Sequence, residues 1–270
     1  MLWTEQMFGV KKPVIAMLHL DPLPGDPLFR HGDSMEKVVE HARKDLCALQ
    51  DGGVDGILFS NEFSLPYERH MNFITPAAMA RVIGELKSQI RLPFGVDCIS
   101  DGQACIELAA AVDADFVRGT FCGVYVGDGG LYNNDFSKLM RRRAALGLEK
   151  LKMLYFINPE SDQNLDTRPL SEIAKSVLFK AKPDGLCISA DAAGQDVDDQ
   201  LIASVKAGSP ETVVLCNTGC RIETIERKLA TADAAVVGTT FKEDGDFNKH
   251  VDQTRVHEFM QVVHHFRMTL

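Results

Sequence analysis

The feature that most constrains the fold is a repeated pattern of strand and small-residue turn in residues 212–247. Two short apolar runs, residues 212–216 and 234–237, are typical of buried strands, and apolar residues at helical spacing lie between them. Asn217-Thr218-Gly219 ends the first run and Gly238-Thr239-Thr240 ends the second. We name these segments the asparagine turn (residues 217–219) and the threonine turn (residues 238–240). The pattern predicts a βαβ unit, in which both turns lie at the carboxyl ends of parallel strands.

The two turns predict an anion-binding site. Small residues leave backbone N–H groups exposed, and a helix that follows adds the positive end of its dipole. In a (β/α)8 barrel, the turns after the seventh and eighth strands are the usual phosphate site. The residues predicted to bind phosphate are Asn217, Gly219, Gly238 and Thr239.

The rest of the chain repeats the same alternation of strand and helix. Six further strands are predicted, at residues 14–20, 54–59, 94–99, 116–118, 151–157 and 185–189. Strands that alternate with helices imply a parallel sheet with right-handed crossovers, which an open doubly wound sheet would also satisfy. Eight regular units, and the lack of a G-x-G-x-x-G motif after the first strand, favour a (β/α)8 TIM barrel. The length of 270 residues suits one barrel domain over residues 1–270.

One connection is unusually long. Residues 119–130 are rich in glycine and follow the predicted fourth strand. A loop of that length inside a compact domain is usually functional, and it often acts as a lid. The sequence therefore predicts a mobile, functional loop at this point.

Composition narrows the choice of partners. The net charge of −9 argues against a surface that binds nucleic acid or anionic membranes. Apolar runs are too short to span a bilayer, and the first residues lack the apolar core of a signal peptide. The seven cysteines are scattered, which suggests no disulfide framework and fits a reducing cytoplasm. A homo-oligomer is left open.

The chemistry of a barrel lies at the carboxyl ends of its strands. Candidate catalytic groups there are Asp97, Arg118, His19, Glu62 and Asp191. Asp97 and Arg118 end neighbouring strands, and their ion pair would hold a base, orient a substrate or simply fix the barrel mouth. His19 is a candidate acid or base. The alternative for Glu62 is exposure to solvent without a catalytic role. The alternative for Asp191 is to cap or charge-stabilise the start of the next helix.

Two mechanisms are disfavoured by missing residues. A Schiff-base aldolase needs a lysine at the mouth, and Lys242, the one on that side, is predicted to contact phosphate instead. A metal-dependent epimerase needs several strand-end histidines, whereas the sequence places only His19 there. The cofactor is therefore unknown. A divalent ion such as Mg2+, held by Glu62, Asp97 or Asp191 together with a substrate phosphate, is left open.

Several long motifs carry a family resemblance. Residues 13–25, PVIAMLHLDPLPG, and residues 235–245, AVVGTTFKEDG, are specific enough to be informative. With these stretches the whole chain resembles the BtpA family, and within it an SgcQ-like branch associated with sugar-phosphotransferase gene clusters. The resemblance implies a phosphate-binding TIM barrel and carries no established reaction. Many relatives have asparagine at the position of Asp97 and a small residue at that of Asp191.

These observations predict an enzyme that acts on a phosphorylated small metabolite, specifically a sugar phosphate. The expected reaction is an isomerisation, an epimerisation or a lyase step of the retro-aldol type. Two alternatives remain at this point. One is a non-catalytic assembly or regulatory factor of the kind that serves photosystem I biogenesis, and the other is a metal-dependent phosphohydrolase. An exposed apolar patch or a plugged barrel mouth would favour the assembly factor.

Overall fold

The computed structural model describes residues 1–192 and 194–270, and its centre is a closed parallel barrel. In chain order the strands are β1 (Val14–His19), β2 (Gly56–Ser60), β3 (Phe94–Asp97), β4 (Phe116–Gly119), β5 (Val124–Gly127), β6 (Gly130–Asn133), β7 (Lys152–Asn158), β8 (Asp162–Asn164), β9 (Gly185–Ile188), β10 (Val213–Cys216) and β11 (Ala234–Val237). The barrel order is β1-β11-β10-β9-β7-β4-β3-β2, and β1 pairs with both β11 and β2 to close it. The predicted (β/α)8 TIM barrel is confirmed.

Helices pack around the outside of the barrel. They are α1 (Trp3–Phe8), α2 (Met35–Gly52), α3 (Ile74–Leu86), α4 (Gly102–Val112), α5 (Phe136–Ala145), α6 (Leu170–Ala181), α7 (Asp199–Gly208), α8 (Ile225–Thr231) and α9 (Gln253–Arg267). In the described parts of the chain, none of these helices combines the length and the apolar character that a membrane crossing requires.

The alternation of side chains along each strand builds two apolar layers. Residues such as Ile15, Leu58 and Leu215 fill the barrel interior, while their neighbours Val14, Ile57 and Val214 pack against the helices. Because both faces of each strand are buried, the strands appear in the sequence as continuous apolar runs. This is why the sequence located the ends of all eight barrel strands to within two residues.

The amino end of the barrel is covered by α1, which the sequence analysis did not predict. The Phe8 ring packs edge-on against Phe116, with 5.9 Å between ring centroids. The Trp3 indole N–H donates a hydrogen bond of 2.8 Å to the backbone oxygen of Asp184. With this end closed, the opening that a ligand can use lies at the carboxyl ends of the strands.

The prediction of one long loop at residues 119–130 was wrong in part. This segment contains β5 and the start of β6, which join β8 in a three-stranded antiparallel sheet of order β6-β5-β8. Arg69 ties this sheet to the barrel, because its guanidinium lies 3.3 Å from the Asp162 carboxylate and 4.3 Å from the centroid of the Tyr132 ring. The glycines of the segment therefore belong to a β-hairpin. The pairing of its two strands cannot be read from a short stretch of sequence.

The strand register places the last residues of three strands at the same level along the barrel axis. His19 pairs in register with Ser60, and Ser60 pairs with Asp97, so these three residues form a row across β1, β2 and β3. Each is the last residue of its strand. The row marks the carboxyl rim of the barrel, directly below the loops that form the site.

Candidate active site

A cavity of about 460 Å3 opens at the carboxyl ends of the barrel strands, and we call it the main cavity. Its lining residues fall into two groups, which we call its two ends and which touch where Asn217 meets Arg118 and Gly238 meets His19. One end consists of the asparagine and threonine turns with the arginines beside them. The other end contains His19, Glu62, Arg118 and Glu160. The volume is in the range of sites that hold small metabolites.

The two turns meet at one end of the cavity, as the sequence predicts. The Thr240 hydroxyl donates a hydrogen bond of 2.6 Å to the backbone oxygen of Cys220, which follows the asparagine turn. Among residues 1–192 and 194–270, no acceptor is found for the backbone N–H groups of Gly219, Gly238 or Thr239. Backbone donors without protein acceptors at a cavity wall are available to an anion.

Both glycines make close contacts, and glycine is required at position 219. Gly219 has a positive φ of 64°, and a Cβ atom there would lie 2.0 Å from the backbone oxygen of Gln195. A Cβ atom on Gly238 would lie 3.0 Å from Nε2 of His19. The asparagine turn therefore approaches Gln195 as only glycine allows, and the threonine turn lies directly against the imidazole of His19.

Two arginines that the sequence analysis missed line the same end. Arg221 follows the asparagine turn, and Arg255 comes from α9, where its Nε donates a hydrogen bond of 3.1 Å to the backbone oxygen of Thr240. Within the described parts of the chain, neither arginine lies within ion-pair distance of a carboxylate. In a protein of net charge −9, two uncompensated cations beside free backbone donors form a local site for negative charge.

Arg118 is the centre of a buried network at the other end. Its Nε donates to the Asp97 carboxylate at 2.8 Å, and its Nη1 donates to the Asn217 side-chain oxygen at 3.0 Å. Asn217 in turn donates to the Ser189 hydroxyl at 3.0 Å. For Nη2 no acceptor is found in the described residues, and Arg118 lines the main cavity. The network fixes the guanidinium and leaves one donor pair for a ligand.

Asp97 lies behind Arg118 and is not among the residues that line the cavity. Burial raises the pKa of Asp97 to about 6, while the adjacent Arg118 guanidinium acts in the opposite direction. The structure thus forms the predicted ion pair between Asp97 and Arg118. It places the guanidinium, rather than the carboxylate, where a ligand would contact it.

His19 lines the main cavity and is itself almost fully buried. Neither ring nitrogen has a hydrogen-bond partner among the described residues, and the closest carboxylate oxygen, on Glu62, is 3.8 Å from Nε2. Burial holds the pKa of His19 well below its usual value, and the nearby charges of Lys242 and Arg118 lower it further. His19 is therefore a neutral imidazole whose two nitrogens are buried at the cavity wall and have no hydrogen-bond partner among the described residues.

Two carboxyl groups complete this end of the cavity. Glu62 accepts a hydrogen bond of 3.2 Å from the Ser60 hydroxyl, and burial raises its pKa. Burial also raises the pKa of Glu160 to about 7, with Arg118 opposing the shift. The sequence analysis missed Glu160, although its position just after the Asn158-Pro159 break marks it as a strand-end carboxylate.

The structure does not bring every candidate to the cavity. Asp191 is exposed and is not among the lining residues. In the described part of the chain, no group of three or more histidine, cysteine or acidic residues is arranged to hold a metal ion, so Glu62, Asp97 and Asp191 do not form a common site. Lys242, the predicted phosphate contact, lines a second cavity instead of the main one.

Comparison with known sequences identifies relatives along the whole chain. The sequence model described as "BtpA family" matches residues 10–265. The sgc region protein SgcQ of Escherichia coli K12 is 46% identical over 99% of this chain and 100% of its own length. The photosystem I biogenesis protein BtpA of Synechocystis is 27% identical over 96% of this chain and 90% of its own length.

Comparison with solved structures supports the barrel fold. (S)-3-O-geranylgeranylglyceryl phosphate synthase from Thermoplasma acidophilum, solved with its substrate sn-glycerol-1-phosphate, superposes with a TM-score of 0.61. The match covers 97% of this chain and 98% of the synthase, at 15% sequence identity. At that identity the likeness shows the fold alone.

Proposed function

The chain belongs to the BtpA family, and we propose that it is an enzyme that moves a proton on a phosphorylated small metabolite, specifically a sugar phosphate. The observation that carries the proposal is the composition of the main cavity. An end rich in donors without protein acceptors adjoins an end that holds a neutral imidazole, a fixed guanidinium and two carboxyl groups of raised pKa. An isomerase or epimerase needs this combination of an anchor and proton-transfer groups.

The anchor is assigned to the turns. The N–H groups of Gly219, Gly238 and Thr239 would donate to phosphate oxygens, and the side chains of Arg221 and Arg255 would neutralise the charge. The geranylgeranylglyceryl phosphate synthase that shares this fold was solved with a phosphorylated substrate, sn-glycerol-1-phosphate, which is consistent with this assignment. Asn217 would then have a different role from the predicted one, because its side chain holds Arg118.

Proton transfer is assigned to Glu62 and Glu160, with His19 as a neutral partner. A carboxyl group with a pKa of about 7, as burial gives Glu160, can take up and release a proton near neutral pH. When a proton leaves the carbon beside a carbonyl, negative charge moves to the carbonyl oxygen. The free Nη2 of Arg118 is suited to stabilise that oxygen, with Asp97 as the group that positions Arg118. A lyase step would use the same oxygen-stabilising group.

The assembly-factor alternative rests on the name of the Synechocystis relative. A mouth filled by side chains would favour it. The open volume of about 460 Å3 and the unpartnered nitrogens of His19 favour a ligand-binding role. The phosphohydrolase alternative differs in product, since it would release inorganic phosphate and depend on an added divalent ion.

The proposal is tested by hydrogen exchange in D2O. The protein is incubated with a panel of aldose and ketose phosphates, and deuterium incorporation beside the carbonyl is followed by NMR. We expect exchange with at least one member, and we expect Glu62→Gln and Glu160→Gln each to slow it at least tenfold. Incorporation that persists unchanged in both variants would remove these carboxyl groups from the mechanism. Phosphate release without exchange would favour the phosphohydrolase.

A further inference from the structure

A second cavity of about 230 Å3, which we call the side cavity, lies beside the main one. His19 lines both, so the imidazole forms part of the wall between them. Phe63, Asp45, Lys242 and Lys249 are also among the residues that line the side cavity. None of the roles proposed above uses this space.

Lys242 is the unusual group in the side cavity. The residue is only 3% exposed, and its Nζ donates one hydrogen bond, of 2.7 Å, to the backbone oxygen of Phe247. Aromatic rings flank the amine, with Nζ 4.8 Å from the centroid of Phe63 and 5.2 Å from that of Phe247. Among residues 1–192 and 194–270, no carboxylate lies within ion-pair distance of it. Two of its three N–H donors are therefore without an acceptor.

Burial disfavours the charged form of the amine, whereas the two aromatic rings favour it. Burial lowers the pKa of Lys242, and the more distant carboxylates of Asp45 and Glu62 only partly oppose that shift. The neutral form of a lysine is the nucleophile, so a buried lysine reacts with carbonyl compounds more readily than an exposed one. His19, which lines the same cavity with two unpartnered nitrogens, could carry the proton that such a reaction must move.

We propose that the Nζ of Lys242 is a carbonyl-reactive amine that forms an imine with a small aldehyde or ketone in the side cavity. The nitrogen lone pair adds to the carbonyl carbon, and a carbinolamine forms after proton transfer from nitrogen to oxygen. The hydroxyl group then takes a proton and leaves as water, and the nitrogen gives up its remaining proton. The neutral imidazole of His19 is suited to accept and return these protons. No oxidant or metal is needed.

The same cavity supplies a matched control residue. Lys249 also lines the side cavity, but it pairs with Asp244, and this pairing raises the pKa of Lys249. The two residues therefore line the same cavity, while their amines differ in exposure and in the direction of their pKa shifts. Each unit by which their pKa values differ changes the fraction of neutral amine about tenfold.

The test is reductive trapping of the full-length protein with glycolaldehyde and cyanoborohydride at neutral pH. Modification of each lysine is followed over time by peptide mass spectrometry. We expect Lys242 to be modified at least tenfold faster than Lys249, and the ratio to approach one in denaturing urea. A native ratio below tenfold would overturn the proposal and leave Lys242 as a structural cation between two aromatic rings.

Two variants separate reactivity from folding. Lys242→Met removes the amine and keeps an unbranched side chain of similar length between the rings, and it should lose the fast-reacting amine while the protein still unfolds in one cooperative transition. His19→Gln should slow trapping at Lys242 without changing the rate at Lys249, whereas an equal rate at Lys242 would remove His19 from the reaction. The probe carries no phosphate, so a failure of phosphate binding at the turns would leave the result unaffected.

Discussion

The two ends of the main cavity are built from different parts of the chain. The end that we propose to bind the phosphate, here called the anion end, is made mainly of backbone, from two turns that each follow a strand directly. The other end is made of side chains that come from several loops and strands, with Arg118 held in place by Asp97 and Asn217. The first end depends on local conformation and the second on tertiary packing. A change at each end should therefore have a different consequence.

The largest effect on stability is expected at the side-chain end. Arg118→Met leaves Asp97 buried without its partner, which typically costs about 3–5 kcal/mol of unfolding free energy. Urea unfolding measures this loss. The double variant Arg118→Met with Asp97→Leu removes both charges and should recover much of it. If the double variant is as unstable as the single one, the ion pair is not the source of the loss.

At the backbone end, Gly219→Ala should disturb binding more than stability. The positive φ of 64° costs about 1–2 kcal/mol for a residue with a side chain, and the overlap with the Gln195 oxygen must be relieved by moving the turn. We expect phosphate-ligand binding to be lost. Gly147→Ala is the control, because Gly147 has a similar φ of 69° with open space around it. It should show the conformational cost alone, measured by thermal unfolding, with binding retained.

A smaller effect on ligand affinity is expected when one positive charge beside the two turns is removed. Arg255→Gln removes one cation from the anion end and should weaken phosphate-ligand affinity by about 1 kcal/mol, or roughly fivefold. Isothermal titration calorimetry measures the change. Arg81→Gln is a suitable control, since Arg81 pairs with Glu36 and Glu85 on the helical surface. An equal loss of affinity in both variants would indicate a general charge effect.

The last effect is a change in pH dependence. Because burial raises the pKa of Glu160 to about 7, the folded protein binds a proton there more tightly than the unfolded chain does. The contribution of Glu160 to stability therefore falls as the pH rises from about 4.5 to about 7. Relative to the parent, Glu160→Gln should gain stability over that range, as followed by unfolding midpoints. A difference that does not vary with pH would contradict the raised pKa.

The contrast between local conformation and tertiary packing also explains which features the sequence could predict. Buried strands appear as continuous apolar runs, and turns such as residues 217–219 are defined by a few adjacent residues, so the barrel and the anion end were predicted from local patterns. Glu160 and Arg255 were missed because their position at the cavity depends on how a loop and α9 close over the barrel. Lys242 was on the predicted side of the barrel, but its rotation into the side cavity depends on Phe63 and Phe247.

The central claim is that the main cavity binds a phosphorylated metabolite through its anion end, which the two turns form. The most direct measurement is thermal unfolding in the presence of sugar phosphates, each paired with the same sugar without phosphate. At a ligand concentration about 100 times the Kd, the expected stabilisation is about 2.7 kcal/mol for at least one phosphorylated member, none for its partner, and none in Gly219→Ala. No stabilisation by any phosphorylated member, or equal stabilisation by both members of a pair, would contradict the claim.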